Sequence, residues 1–208
     1  MVSLCISDLL KQSSARHDHL CPRQVLGVRI GLAGLAGLGL ESPVNKDTAL
    51  VIIESDGCFA DGIEVATGAT IGHRTLRVND FGKMAATFAD VKTGRVIRIS
   101  PELNVRERAL IYAPDEPRRY FAQLQGYQVM PETELLRIQD VALNPTLEEL
   151  ISKPLARVIC DYCGEEIINE REVVPDGITL CRTCANEGYY LIKSSPAELG
   201  ATLNHQSK

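Results

Sequence analysis

Two imidazoles and a thiol fall within five residues in the run His17-Asp18-His19-Leu20-Cys21-Pro22. These are side-chain types that zinc, nickel and iron accept, and that also serve as acids, bases and nucleophiles. An apolar Gly/Ala/Leu run follows, and Pro22 can open it as a helix, since the amide it lacks would be unpaired in a first turn anyway. The partial positive charge at a helix N-terminus favours thiolate over thiol. Cys21 therefore suits metal binding or nucleophilic chemistry. The alternative is a pair of solvated histidines next to a small buried thiol.

A second set of thiols is more specific. Cys160-x2-Cys163 and Cys181-x2-Cys184 are separated by seventeen residues, a spacing expected of one structural zinc held by four thiolates. The segment 172–179, with Pro175-Asp176-Gly177, reads as a hairpin. A helix from Arg182 onward would carry the last ligand in its first turn, as in a treble-clef finger. A redox role for either pair is the rival reading.

These residues must be positioned by a fold. Residues 3–14 have the spacing of a short amphipathic helix, and the run after Pro22 predicts a helix to Leu38, closed at Gly39. Its glycines 27, 31, 34 and 37 weaken helix propensity by up to about 1 kcal/mol each. Close backbone packing against another element is the reason they suggest. Residues 48–54 (TALVIIE) read as a strand buried on both faces in the centre of the sheet. Ser55 or Asp56 can cap a second helix that holds Cys58 in its first turn. Residues 75–79, 84–90 and 95–100 read as an antiparallel meander. A helical stretch follows over 101–126, with Leu110, Ile111, Tyr120, Phe121 and Leu124 as anchors, and 132–141 as a further helical turn or strand. The expected class is α+β, with an α-β-α-β-β-β core whose helices pack on a mixed or antiparallel sheet. The expected domains are a core over 1–153, a zinc-finger module over 154–195 and a flexible tail over 196–208.

Geometry links the two helix-start cysteines. The helix from Pro22 would be about 25 Å long and the strand over 48–54 about 23 Å. If the two run antiparallel, the helix start lies beside the strand's end, where Cys58 begins the next helix. His17, His19, Cys21 and Cys58 could then converge as a second transition-metal site, with Asp61 one turn further along. An open coordination position there would make the site catalytic, and a closed set of four protein ligands would make it structural.

HDHLCP, the Gly/Ala-rich helix, the run CFADGIEVATGATIGHRTLRVNDFGKMAATF and the terminal four-cysteine module together resemble the FmdE family of formylmethanofuran dehydrogenase. The resemblance implies an α-β-α core followed by three strands, an auxiliary treble-clef zinc finger, frequent homodimers, and a site built on the HxHxCP motif and the later cysteine. Carried over, His17, His19 and Cys21 match the motif and Cys58 the later cysteine. Asp61, Gly62, Thr67, Gly68, Gly72, Asp80, Gly82 and Lys83 match the surrounding pattern. Many relatives have Gly at Asp18 and Arg23, Cys at Ala69 and Lys at His73. The thiol absent at 69 leaves His73 as a group that could replace it as a ligand. The activity implied is that of an oxidoreductase or a subunit of one in one-carbon metabolism, with Cys58 as reactive thiolate or ligand, His17 and His19 as ligands or acid/base groups, and Asp61 orienting one of them. The alternative is a non-catalytic metal-binding adaptor or metal sensor that docks a protein through the finger.

The composition narrows the partners. A net charge of -5 gives no footprint for nucleic acid. Within 157–190 only Arg157, Arg171 and Arg182 face seven acidic residues, so the finger itself would repel phosphate. Tyr189, Tyr190, Leu191 and Ile192 are its candidate protein contacts, packing within the finger being the alternative. Seven cysteines, four of them in C-x-x-C steps, suit a reducing compartment, hence a cytoplasmic protein. The apolar run over 25–40 is too short for a bilayer that needs about 20 residues, so no membrane is expected.

Overall fold

The computed structural model describes residues 5–17, 19–152 and 154–191. Asp18, Ile192 and the expected tail over 196–208 lie outside the described residues. The chain divides into two compact units, Met1–Leu147 and Glu148–Lys208. The division falls a few residues before the boundary expected at 153.

The first unit opens with α1 (Ile6–Ser14), which buries Leu9 and Leu10 and exposes the Asp8–Lys11 pair. Helix α2 (Pro22–Leu38) starts with proline in its first turn and closes at Gly39, whose φ of 68° is the left-handed conformation that favours glycine. Strand β1 (Ala49–Ile53) is buried along its whole length. Helix α3 (Cys58–Thr67) is entered through Gly57 at φ 67°, so the N-cap is this glycine and neither Ser55 nor Asp56. Only a residue without Cβ turns the chain so sharply from strand to helix. Strands β2 (Leu76–Val78), β3 (Ala86–Asp90) and β4 (Val96–Pro101) follow. Next come α4 (Val105–Arg108), a 3-10 turn at Ala109–Tyr112, α5 (Arg119–Val129), α6 (Glu132–Leu135) and β5 (Leu136–Asp140).

The sheet order is β2-β1-β3-β4-β5. β1 and β2 are parallel, and all other neighbours are antiparallel. The expected meander of three strands is therefore corrected: β1 lies between β2 and β3, and β3 is the middle strand. The helix α3 between β1 and β2 is the cause, because a helical crossover returns the chain to the same end of the sheet and so makes the next strand parallel. The mixed sheet of an α+β fold results, with helices packed on it.

The expected close packing of the glycine-rich helix has a specific partner. A Cβ on Gly27 would lie 2.4 Å from the Phe59 carbonyl oxygen and 2.9 Å from the Gly62 Cα, and a Cβ on Gly62 would lie 2.5 Å from the Gln24 carbonyl oxygen. One turn on, Gly31 faces Ala66 in the same way. Gly27 over Gly62 and Gly31 over Ala66 means that α2 and α3 run side by side in the same direction. A third glycine, Gly34, makes room for the fully buried Phe88 ring of β3. Burial of each such large apolar side chain contributes roughly 1.5–3 kcal/mol.

Two arginines tie the remaining pieces to this core. Arg98 on β4 holds both carboxylate oxygens of the buried Glu54, at 2.5 and 2.8 Å. Arg29 on α2 donates to the Tyr127, Gln128 and Met130 carbonyls at 3.0, 3.3 and 2.9 Å, satisfying the C-terminal end of α5. Of the anchors expected in this region, Ile111 and Tyr120 are exposed; the buried residues of α5 include Ala122 and Tyr127, which were not expected as anchors. No helix among the described residues is long and apolar enough to cross a membrane.

The second unit contains α7 (Leu147–Ile151), whose first residue belongs to the first unit, and a hairpin of β6 (Arg157–Ile159) and β7 (Glu166–Ile168). The expected second hairpin is reduced to a bridge between Val173 and Leu180 around a 3-10 turn at Pro175–Gly177. The helix expected from Arg182 is, among the described residues, a single turn closed by Ala185 N–H to Cys181 and Glu187 N–H to Arg182. Tyr189 and Leu191 are 98% and 87% exposed, so neither packs within the finger.

Because α2 and α3 touch through backbone, Gly62→Ala must push them apart, and overpacking of this kind costs about 1–3 kcal/mol. Urea unfolding should show that loss for Gly62→Ala. Gly72→Ala, where an added Cβ meets nothing within 4 Å, should change stability little. Equal midpoints for the two variants would refute the packing account.

Candidate functional site

The parallel pairing of α2 and α3 brings both helix starts to one end of the sheet. Cys21 is the N-cap of α2: the Gln24 amide donates to its sulfur, and the Gln24 side chain accepts the Cys21 N–H at 2.8 Å. Gln24 also donates to the Ser13 carbonyl at 3.0 Å, which anchors the end of α1. Cys58 is the first residue of α3, and its side chain lines the same cavity as Cys21. The loop 80–83 is held at the same end, since the Phe81 and Lys83 amides both donate to the Glu54 carbonyl at 3.0 Å.

The two thiols face a cavity of about 370 Å³. Pro22, Arg23 and Leu26 of α2 form one wall, and Tyr120, Gln123 and Tyr127 of α5 form the opposite one. Met84 and Arg106 complete the lining. Among the described residues, none that lines it is acidic. In the sequence Tyr120 reads only as a packing anchor, and nothing there singles out Arg106, Gln123 or Tyr127. No local signal marks them, because α5 reaches the thiols only through tertiary packing, to which the Arg29 clamp contributes.

The histidines behave differently from the thiols. His17 Nε2 lies 2.5 Å from Asp61 Oδ2, and Arg16 bridges Asp61 and Glu64 at 3.3 and 2.6 Å. Asp61 thus orients His17 one turn along α3 from Cys58. His19 is exposed. His17, His19, Cys21 and Cys58 do not gather into one metal-ready set: among the described residues, only the four finger cysteines have ligand atoms all within 4.8 Å of one another. His73 bonds Thr70 Oγ1 at 2.9 Å. It and the buried Ala69 follow the C-terminal end of the ten-residue α3. They are about 15 Å of helix away from Cys58, so neither position serves the thiol pair within this chain.

Electrostatics also departs from the helix-end expectation. Burial pushes the Cys58 thiol above its ordinary value, and the hydrogen bond and charge of Cys21 and the charge of Asp61 push the same way. A helix N-terminus favours thiolate, but here desolvation and two neighbouring acids outweigh it. Tyr120 is raised by burial and by the two thiols, which places all three groups in one electrostatic neighbourhood.

The four-cysteine cluster meets the requirements of a tetrahedral metal. The turn after β6 presents Cys160 and Cys163, and the Val173–Leu180 bridge delivers Cys181 and Cys184. Asp161 joins the two halves by accepting the Thr179 N–H at 2.7 Å and donating its own amide to the Thr179 carbonyl at 2.8 Å. Cys163 and Cys181 sulfurs are 3.9 Å apart, close to the separation of about 3.8 Å that follows from Zn–S bonds of about 2.3 Å. Burial opposes ionisation of Cys160, yet amide donation from Cys163, Cys181 and Tyr162 brings its thiol down to about 6. Burial and the three other thiols hold Cys184 well above the ordinary range. Four sulfurs this close need a cation to be ionised together, and a metal such as zinc fits.

Replacing Cys160 and Cys163 by Ser should remove about one tightly bound zinc per chain, measured by elemental analysis, and leave any weaker metal at the thiol pair unchanged. A full zinc retained by that double variant would show the assignment to be wrong.

Comparisons with known proteins agree with this architecture. The chain is 29% identical over 210 residues to a protein of Archaeoglobus fulgidus named as a probable S-adenosyl-L-methionine-binding protein. The match covers 90% of this chain and 55% of that protein, so the chain spans about half the length of this curated relative. The crystal structure of a tungsten formylmethanofuran dehydrogenase FmdE-like protein from Syntrophus aciditrophicus superimposes with a TM-score of 0.57 at 21% identity, covering 91% of this chain and 97% of that one. The likeness shows a shared fold. The family model described as FmdE, molybdenum formylmethanofuran dehydrogenase operon, matches residues 16–156. With the thiol-bearing core inside the matched region, the chain belongs to the FmdE family.

Proposed function

We propose that this chain is an enzyme, or a subunit of one, that acts on a small molecule through the Cys21–Cys58 pair. The observation that carries the reading is two thiols, electrostatically coupled, on the wall of one concave cavity. Concave pockets with a few convergent polar groups are where small ligands bind. In this reading Cys58 is the reactive thiol or a ligand of an exchangeable metal, Cys21 is its partner, and His17, oriented by Asp61, supplies or removes protons. Its class is that of the family name, an oxidoreductase or a component of one. The name of the Archaeoglobus relative adds S-adenosyl-L-methionine to the ligands worth assaying. The four-cysteine unit holds a structural zinc, and its exposed Tyr189 and Leu191 serve protein contact. The cytoplasm is the compartment that suits seven cysteines, none of them bridged. A non-catalytic adaptor would need a closed ligand set at the front site, and the separation of His17 and His19 from the thiols argues against one.

A trivalent arsenical tests the thiol pair directly, since it binds two adjacent thiols and loses water. Zinc-loaded protein should capture one phenylarsine oxide per chain by intact mass. Cys21→Ser and Cys58→Ser should each abolish capture, and Cys5→Ser should leave it unchanged. No capture, or capture that survives loss of Cys21, would transfer the protein to the adaptor reading. The same proposal includes a homodimer, which light scattering of the full chain should show; a clean monomer across micromolar concentrations would remove that part alone.

A further inference from the structure

We propose that the cavity beside Cys21 and Cys58 selects a compact organic anion, whose oxyanion group is held between Arg23 and Arg106 and whose reacting carbon lies at the thiols. The inference rests on the thiol-pair reading above and adds the substrate's charge. Arg23 and Arg106 both line the cavity. The other arginines in this neighbourhood are already engaged. Arg29 is taken up by the carbonyls at the end of α5. Arg16 holds Asp61 and Glu64, Arg108 holds Glu134, Arg118 holds Glu116 and Arg119 holds Glu107. These pairs occupy the carboxylates of α3, against which α2 packs, and the Glu107 carboxylate beside Arg106. Arg23 and Arg106 have no ion pair among the described residues.

The excess of positive charge is local and runs against the whole chain. The protein carries 27 acidic and 22 basic residues, yet no carboxylate lines the cavity among the described residues. A wall with two unpaired guanidinium groups, beside the N-terminal ends of two long helices, is attractive only to an anion.

Tyr127 adds a polar group to the same cavity. It is 2% exposed and lines the cavity together with the two arginines. Burial raises this phenol above its ordinary value, with Arg106 opposing and Glu107 reinforcing. It therefore remains a proton donor, suited to an oxyanion. The volume of about 370 Å³ lies at the small end of ligand pockets, which span roughly 300–1,000 Å³.

Iodoacetate and iodoacetamide provide the test, because they share one reaction and differ in charge. In each case the thiolate sulfur attacks the methylene carbon, a C–S bond forms, the C–I bond breaks with loss of iodide, and the thiol proton goes to solvent. The ratio of the two rates at one sulfur is independent of how much of that thiol is ionised, so the raised Cys58 does not obscure it. On zinc-loaded protein, the iodoacetate-to-iodoacetamide ratio at Cys58 should exceed that at the exposed Cys5 by about tenfold, the factor that charge-assisted capture supplies. In Arg23→Gln/Arg106→Gln the ratio should fall to the Cys5 value, with an unchanged circular dichroism spectrum. Labelling of Cys58 by both reagents at the Cys5 ratio would overturn the anion inference and leave the thiol reading intact. If neither reagent labels Cys58, the thiol reading fails. The anion site is then decided by inorganic phosphate: phosphorus-31 line broadening lost in the double variant supports it, and equal broadening overturns it.

Discussion

The contact of Gly27 with Gly62 is the constraint on which the site depends. Two helices that meet backbone to backbone can slide or rotate little without collision, so α2 and α3 are locked in direction and in register. Gly27 faces Phe59 and Gly62, Gly62 faces Gln24, and Gly31 faces Ala66. The lock places one N-cap beside another, and both helix starts carry a thiol. Glycine inside a helix costs up to about 1 kcal/mol in propensity. Contact with the neighbouring helix and the buried rings of Phe59 and Phe88 offset that cost.

From this pair the rest of the site follows by attachment. Arg29, the single charge in the body of an apolar helix, reaches the carbonyl ends of α5 and thereby sets the opposite wall of the cavity. Glu54 performs the corresponding task at the end of β1: its side chain is held by Arg98, while its backbone holds the loop that leads to Met84. Both anchors are charge-assisted and partly or fully withdrawn from water, where such bonds are stronger than at the surface. Asp61 and Glu64 of α3 are drawn into pairs with Arg16, and Glu134, Glu116 and Glu107 into pairs with Arg108, Arg118 and Arg119. A protein with net negative charge can thus present a cavity lined by cations.

The electrostatics of the thiols shows why a motif does not set a pKa. Cys21 and Cys58 both occupy helix starts, where a lone cysteine would ionise readily. Burial, the neighbouring Cys21 and the charge of Asp61 push the Cys58 thiol up instead. The finger solves the same problem by gathering amide donors around Cys160 and leaving the remaining charge for a metal. Two clusters of one residue type thus differ in chemistry because one is supplied with donors and the other faces a cavity.

What the sequence by itself determined is what depends on neighbours within a turn or two. The limits of α2 follow from Pro22 and Gly39, the burial of β1 from its unbroken apolar run, and the four-sulfur cluster from two C-x-x-C turns. The convergence of Cys21 and Cys58 was legible too, because an antiparallel helix and strand of matching length leave little choice of end. Other features needed the tertiary structure. The place of β2 in the sheet depends on which edge of β1 is open once α3 has crossed it, and strand periodicity is the same at either edge. His17 and His19, two residues apart, were inseparable in sequence, yet only His17 meets Asp61, 44 residues away. Arg23, Arg106 and Tyr127 come to line one cavity only when three helices pack. Caps and periodicity are local energies, written in adjacent residues, whereas charge pairing and cavity shape are sums over distant ones, and only the folded chain evaluates them.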